Sequence, residues 1–204
     1  MEKKRMRKIA VVTAMACAVA AMGIVAPTLA WLSDSSASVT NTFKGESVTV
    51  SIDEAPVDAE TGKKIDGERV LSNDYMIVAG RVLDKDPTPT VKKGSVESAV
   101  YVKVTNGDPS IFTPNYDAEN WTKISGDDES AVYRYSTTVN AYKTEDDVTL
   151  SPVFTTVTVS EDFTGLEDDV NITAQAYAVQ AEGLVNGDDF TKADAQALSY
   201  FNVK

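Results

Sequence analysis

From Val48 onward, apolar and polar residues of this chain alternate with a period of two. Val48, Val50 and Ile52 alternate with Thr49, Ser51 and Asp53. Val96, Val100, Val102 and Val104 share one parity, against Glu97, Tyr101, Lys103 and Thr105. Ala131, Tyr133, Tyr135, Thr137 and Val139 repeat the pattern, as do Val153, Val157 and Val159, and then Val170, Ile172, Ala174, Ala176 and Ala178. Strict alternation predicts strands with one buried and one wet face, and the β-branched and aromatic residues suit a pleated surface. Turn chemistry separates the runs at Glu60-Thr-Gly62, Asn106-Gly-Asp-Pro109, Ser125-Gly-Asp-Asp128 and Glu167-Asp-Asp169. Only Asp188 to Phe201 reads as helix. Two aspartates favour its start, Thr191-Lys-Ala-Asp194 offers a loose capping box, and Ala193, Ala197, Leu198 and Phe201 recur at helical spacing. The pattern predicts an all-β chain: an antiparallel β-sandwich over residues 47–204, jelly-roll-like, with one short C-terminal helix.

The first thirty residues follow a different rule. Lys3 to Lys8 form a basic region, Ile9 to Ala26 is apolar, Pro27 breaks any helix, and Thr28-Leu29-Ala30 offers small residues before a cut. That order predicts a signal peptide over residues 1–30, cleaved between Ala30 and Trp31. Two alternatives are an uncleaved anchor, since 18 apolar residues just reach spanning length, and lipidation of Cys17. The residues before Cys17, Ala14-Met15-Ala16, lack the leucine usual in a lipidation motif, so Cys17 reads as a small apolar residue of a discarded segment. The membrane is expected as a partner only through the uncleaved segment.

Beyond Ala30 the chain holds 14 basic and 30 acidic residues, a balance of −16. Such a surface repels nucleic acid and anionic lipid. Residues 31–204 contain no cysteine and the whole chain no histidine, which removes disulfides, the commonest general base and the commonest zinc ligand. No Gly-x-Ser-x-Gly elbow, His-Glu-x-x-His pair or phosphate-cradling glycine loop occurs. Acidic groups at Asp84/Asp86, Asp127/Asp128/Glu129, Glu145/Asp146/Asp147, Glu167/Asp168/Asp169 and Asp188/Asp189 follow no EF-hand register. They read as solvated loop charge. Asn120-Trp-Thr122 and Asn171-Ile-Thr173 match the glycosylation sequon, the second in a predicted strand. No catalytic, metal or cofactor site is expected, and no enzymatic activity.

Several segments, taken in order, resemble a known family. The Trp31-Leu-Ser-Asp34 start after the apolar run resembles that of secreted proteins processed by the dedicated signal peptidase SipW, the TasA/camelysin-like biofilm matrix proteins. The resemblance continues in Asn41-Thr-Phe43, in Lys85-Asp-Pro-Thr-Pro-Thr90 leading into Ala99-Val-Tyr-Val-Lys-Val104, and in Trp121-Thr-Lys-Ile124. Leu150-Ser-Pro-Val-Phe154, Ala174-Gln-Ala-Tyr-Ala-Val-Gln-Ala181 and the alanine-rich helix after Gly183 complete it. It implies export from a Gram-positive cell, a jelly-roll-like domain, SipW as a partner during export, and self-assembly into extracellular fibres. Some relatives are described as metallopeptidases. A camelysin-like metallopeptidase and a monomeric surface adhesin are therefore the rival expectations.

The resemblance also implies that residues 31–46, freed by cleavage, add as a strand to a neighbouring subunit. Trp31, Ala37, Val39 and Phe43 share one parity, while Ser36, Ser38, Thr40 and Thr42 face the other way, which suits strand addition. The alternative is that the segment pairs within its own domain as an ordinary first strand.

Overall fold

The computed structural model describes residues 47–166 and 168–203. The segments 1–30 and 31–46, with the cleavage residues Ala30 and Trp31 and the assembly residues Trp31, Ala37, Val39 and Phe43, lie outside the described residues.

Twelve strands and one helix are described: β1 (Val50–Asp53), β2 (Val57–Asp58), β3 (Lys63–Lys64), β4 (Val82–Asp84), β5 (Thr88–Val91), β6 (Ser98–Asn106), β7 (Phe112–Tyr116), β8 (Trp121–Gly126), β9 (Ser130–Tyr135), β10 (Val148–Thr149), β11 (Phe154–Val159), β12 (Ile172–Gln180) and α1 (Thr191–Tyr200). They form sheets ordered β1-β5-β10, β4-β11-β7 and β12-β6-β9-β8, and a small hairpin β2-β3. Every pairing is antiparallel. The described residues therefore form an all-β fold with one C-terminal helix. Among the described residues no helix is long and apolar enough to cross a membrane.

One core joins the three larger sheets. Val91 of β5, Val100, Val102 and Val104 of β6, Phe112 of β7, Trp121 of β8, Tyr133 of β9, and Phe154, Val157 and Val159 of β11 are buried together. Aromatic packing fixes its centre: Tyr116 stacks on Tyr133 at 4.5 Å and meets Phe154 edge-on at 5.6 Å. The turn from β8 to β9 depends on Gly126. Its φ is +95°, and a Cβ there would meet the Ser130 carbonyl oxygen at 2.0 Å, so only glycine fits.

Two expectations need correction. The second face of β6 is not wet: Ala99 and Tyr101 are fully buried beneath α1, with Phe190, Ala193, Ala197 and Phe201. Period-two alternation reports which residues share a face, but a helix laid on the polar-looking face reverses its exposure. The capping box also does not form. Thr191 is the first helical residue and Phe190 occupies the cap without a side-chain bond. Asp189, one residue earlier than a cap, accepts from the Thr191 amide at 3.0 Å. Asp194 turns to the sheet instead, accepting from Tyr101 Oη at 2.9 Å and from Arg134 at 2.7 Å. A partly buried charge-assisted pair outweighs a solvent-exposed cap.

Candidate functional site

Sheet edges are where such a fold meets other chains, because edge strands carry unpaired amides and carbonyls. Most edges here are blunted. β7 contains Pro114 and its pairing with β11 is interrupted by a bulge. β8 carries Lys123 and a bulge against β9. β4 has three residues and β10 two. Proline, bulges, lysine and shortness are the usual devices against strand addition.

β12 has none of them. It runs nine residues as Ile-Thr-Ala-Gln-Ala-Tyr-Ala-Val-Gln, with no charge, proline or glycine. Its pairing with β6 is regular over all nine positions. Bonded and non-bonded pairs alternate along an antiparallel ladder. The Gly107 amide donates to the Asn171 carbonyl and the Ala181 amide to the Glu97 carbonyl, so the odd-numbered residues face β6. The amides and carbonyls of Ala174, Ala176 and Ala178 therefore point away from it. Among the described residues they have no hydrogen-bond partner. Their side chains face the core yet stay half-buried.

Across from this edge lies β1. The Lys92 amide donates to the Thr49 carbonyl, so Val50 and Ile52 turn their own backbone groups outward, toward β12. The two strands come within 8 Å, with no pairing between them. They run in opposite directions. The C-terminal end of β1 (Ile52–Glu54) shares a cleft of about 210 Å³ with Asn171–Ala174, and Val48 shares another with Ala178–Gln180. A larger cleft of about 540 Å³ continues from the first, lined by Tyr75, Ile77, Leu83, Phe112, Phe163 and Ile172. The site is thus a seam between two edges that are unpaired among the described residues, opening at the start of β12 into a cleft that mixes these apolar side chains with Asn73, Asp74, Lys85, Asp169 and Asn171.

The stretch 65–81 walls that opening through residues between Leu71 and Ile77, and sequence periodicity gives no sign of it. Several of its polar groups, on Arg69, Asn73 and Tyr75, act as anchors. Glu54 and Val70 exchange backbone bonds of 2.9 and 2.8 Å. Asn73 accepts from the Val57 amide and donates to the Ala55 carbonyl, and Tyr75 donates to the Asp84 carbonyl at 2.9 Å. The Arg69 guanidinium pairs with Asp53 and with Asp86. Lys64 reaches Asp86 at 2.7 Å, and Lys85 reaches Glu54 at 2.8 Å. Burial alone would raise the Asp86 carboxyl, but bonds from Lys64 and the Ala55 amide, with Arg69 nearby, hold it below 3.8. Burial, with Glu54, Asp86 and Asp84 close by, pushes the Tyr75 phenol far above its ordinary value.

The acidic groups read from the sequence are scattered. Asp84 and Asp86 belong to the ion network just described. Asp127 closes its own turn through the Glu129 and Ser130 amides, and Asp147 accepts from Lys92 and from the Lys93 amide. Among the described residues no group of three or more potential ligands is placed to hold a metal ion. Asn171 precedes β12 rather than lying in it, and is exposed.

An all-β domain with a long, unblocked edge strand among its described residues is the class these features define. Comparison with family models, with curated proteins and with solved structures finds no match to this chain.

Proposed function

We propose that the protein is a secreted structural subunit that self-assembles into extracellular fibres of a Gram-positive biofilm matrix, by adding the segment freed at Trp31 to the β12 edge of a neighbour. The observation that carries this reading is β12 itself. Among the described residues it is the longest edge strand, its outward amides and carbonyls have no hydrogen-bond partner, and it carries no charge, proline, glycine or bulge. An incoming strand satisfies those groups and places alternate side chains over Ala174, Ala176 and Ala178. Seating it fully in the seam requires β1 to withdraw slightly, since two successive strand spacings come to about 9.6 Å.

The period-two set of Ala37, Val39 and Phe43 supplies apolar side chains on one face. Burying Val39 and Phe43 contributes about 1.5–3 kcal/mol each before ordering costs. A charge of −16 opposes general stickiness, so association has to run through a specific, hydrogen-bonded contact. The resemblance to SipW-processed proteins supplies the route: export, cleavage after Ala30 and assembly outside the cell.

The test uses secreted protein whose N-terminal sequence begins at Trp31. Replacing Val39 and Phe43 by aspartate is expected to leave a folded monomer that forms no fibres in electron micrographs. Unfolding of that variant would make the segment the domain's own first strand, and unchanged fibres would place the contact elsewhere.

A further inference from the structure

Of the large exposed hydrophobic residues of the described chain, all but Tyr142 and Tyr200 lie in one stretch. Ile65, Leu71, Met76, Val78 and Val82 fall within 18 residues, with Leu71 88% and Met76 58% exposed. Leu71 lines the cleft beside the start of β12, and Met76 lies between Tyr75 and Ile77, which line the larger cleft. Looseness does not account for this exposure, because the same segment is pinned by Arg69, Asn73 and Tyr75. Leu71, Met76 and Val78 thus stand exposed on an anchored segment whose Val70, Tyr75 and Ile77 are half-buried.

Chain length decides what can cover them. The carbonyl of Ser47 accepts from the Val96 amide, so Ser47 belongs to the subunit's body. Four Cα steps separate it from Phe43, a span of at most about 14 Å. A donated strand thus brings its own body down beside the end of β12 where Phe43 lies. Antiparallel to β12, that end is Ile172, next to Leu71. Parallel to it, the end is Gln180, where the rim of Val96, Gln180, Glu182, Gly183, Leu184 and Gln196 carries none of the large exposed apolar residues.

The antiparallel arrangement also excludes self-pairing. A subunit's own Ser47 lies at the Gln180 end of the seam, as Val48 shows, and Ile172 to Ala178 spans about 20 Å. A tether of about 14 Å cannot cross that distance.

Resting on the strand-addition reading above, we propose that the donated strand runs antiparallel to β12 and that the body of the second copy packs on Leu71, Met76 and Val78. The fibre contact then has two parts, a hydrogen-bonded strand and an apolar body-to-body patch. Neither comes from general attraction between subunits of like charge.

Met76 is the single methionine in residues 31–204, so the native protein reports on itself. Dilute peroxide converts exposed methionine to the sulfoxide, and the mass gain is read on the intact chain. Oxidation of Met76 is expected to be rapid in the monomer and about tenfold slower or more in assembled material. A Leu71→Asp variant is expected to fold normally and to need about tenfold more protein to assemble, equivalent to about 1.4 kcal/mol. Fibres in which Met76 oxidises as fast as in the monomer, or which Leu71→Asp leaves unaffected, would overturn the body contact while leaving strand addition standing. Mature protein that forms no polymer at any concentration would overturn both.

Discussion

Consider Ala176 replaced by proline. The amide of Ala176 points away from β6 and has no partner among the described residues, so the fold loses no ladder bond. Proline is tolerated on an edge strand when its missing donor faces outward. The cost to the monomer is that of drawing φ toward −65°, about 1 kcal/mol. The cost to assembly is larger. One interchain hydrogen bond is lost, about 0.5–1.5 kcal/mol, and a carbonyl of the incoming strand is buried unpaired, about 1–3 kcal/mol. The sum, about 1.5–4.5 kcal/mol, raises the concentration needed for assembly by about 10- to 1,600-fold. Gln175→Pro is the matched control. Its amide faces β6 opposite Lys103, so proline there removes a ladder bond and orphans an interior carbonyl, costing the monomer about 2–4 kcal/mol. Sedimentation over a concentration series reads the first effect and urea unfolding of the monomer the second. The reasoning is refuted if Ala176→Pro assembles at the wild-type concentration, or if it destabilises the monomer as much as Gln175→Pro.

The remaining predictions concern the groups that hold the seam and the helix. Asp86 is ionised and bonded in the folded state with a lowered pKa, so its contribution is complete above the ordinary carboxylate value near 3.9 and disappears as pH falls through the lower folded value. Asp86→Asn is expected to cost about 1–3 kcal/mol at pH 7 and to flatten the loss of stability below pH 4, both read from urea midpoints. Tyr101→Phe removes the bond to Asp194 beneath α1 while keeping the ring, and is expected to cost about 1 kcal/mol in the same assay.

Strand positions were legible where side chains alternate in volume and polarity, as in β6, β9 and β12. The parity of Ala174, Ala176 and Ala178 was also legible. Their exposure at an open edge was not, because edge or interior status depends on which strands pair across long sequence separations. The wet face assigned to Tyr101 failed for the same reason, since its cover comes from α1, some ninety residues later. Short strands such as β5, with Pro89 at its centre, defeat periodicity because two residues per face carry too little pattern. Residues 65–81 were illegible altogether: their order comes from Arg69, Asn73 and Tyr75 bonding to backbone and carboxylates elsewhere, a set of contacts without a period. One signal was available and unused. Nine consecutive strand residues without charge, proline or glycine, in a chain this acidic, already mark β12 as unusual.

Amide hydrogen exchange on β12 tests the central claim most directly. In the monomer the amides of Gln175 and Tyr177, which face β6, are expected to exchange slowly, and those of Ala174, Ala176 and Ala178 rapidly. On assembly the three alanine amides should become as protected as their neighbours. Fibres in which Ala174, Ala176 and Ala178 still exchange at monomer rates would contradict strand addition at this edge.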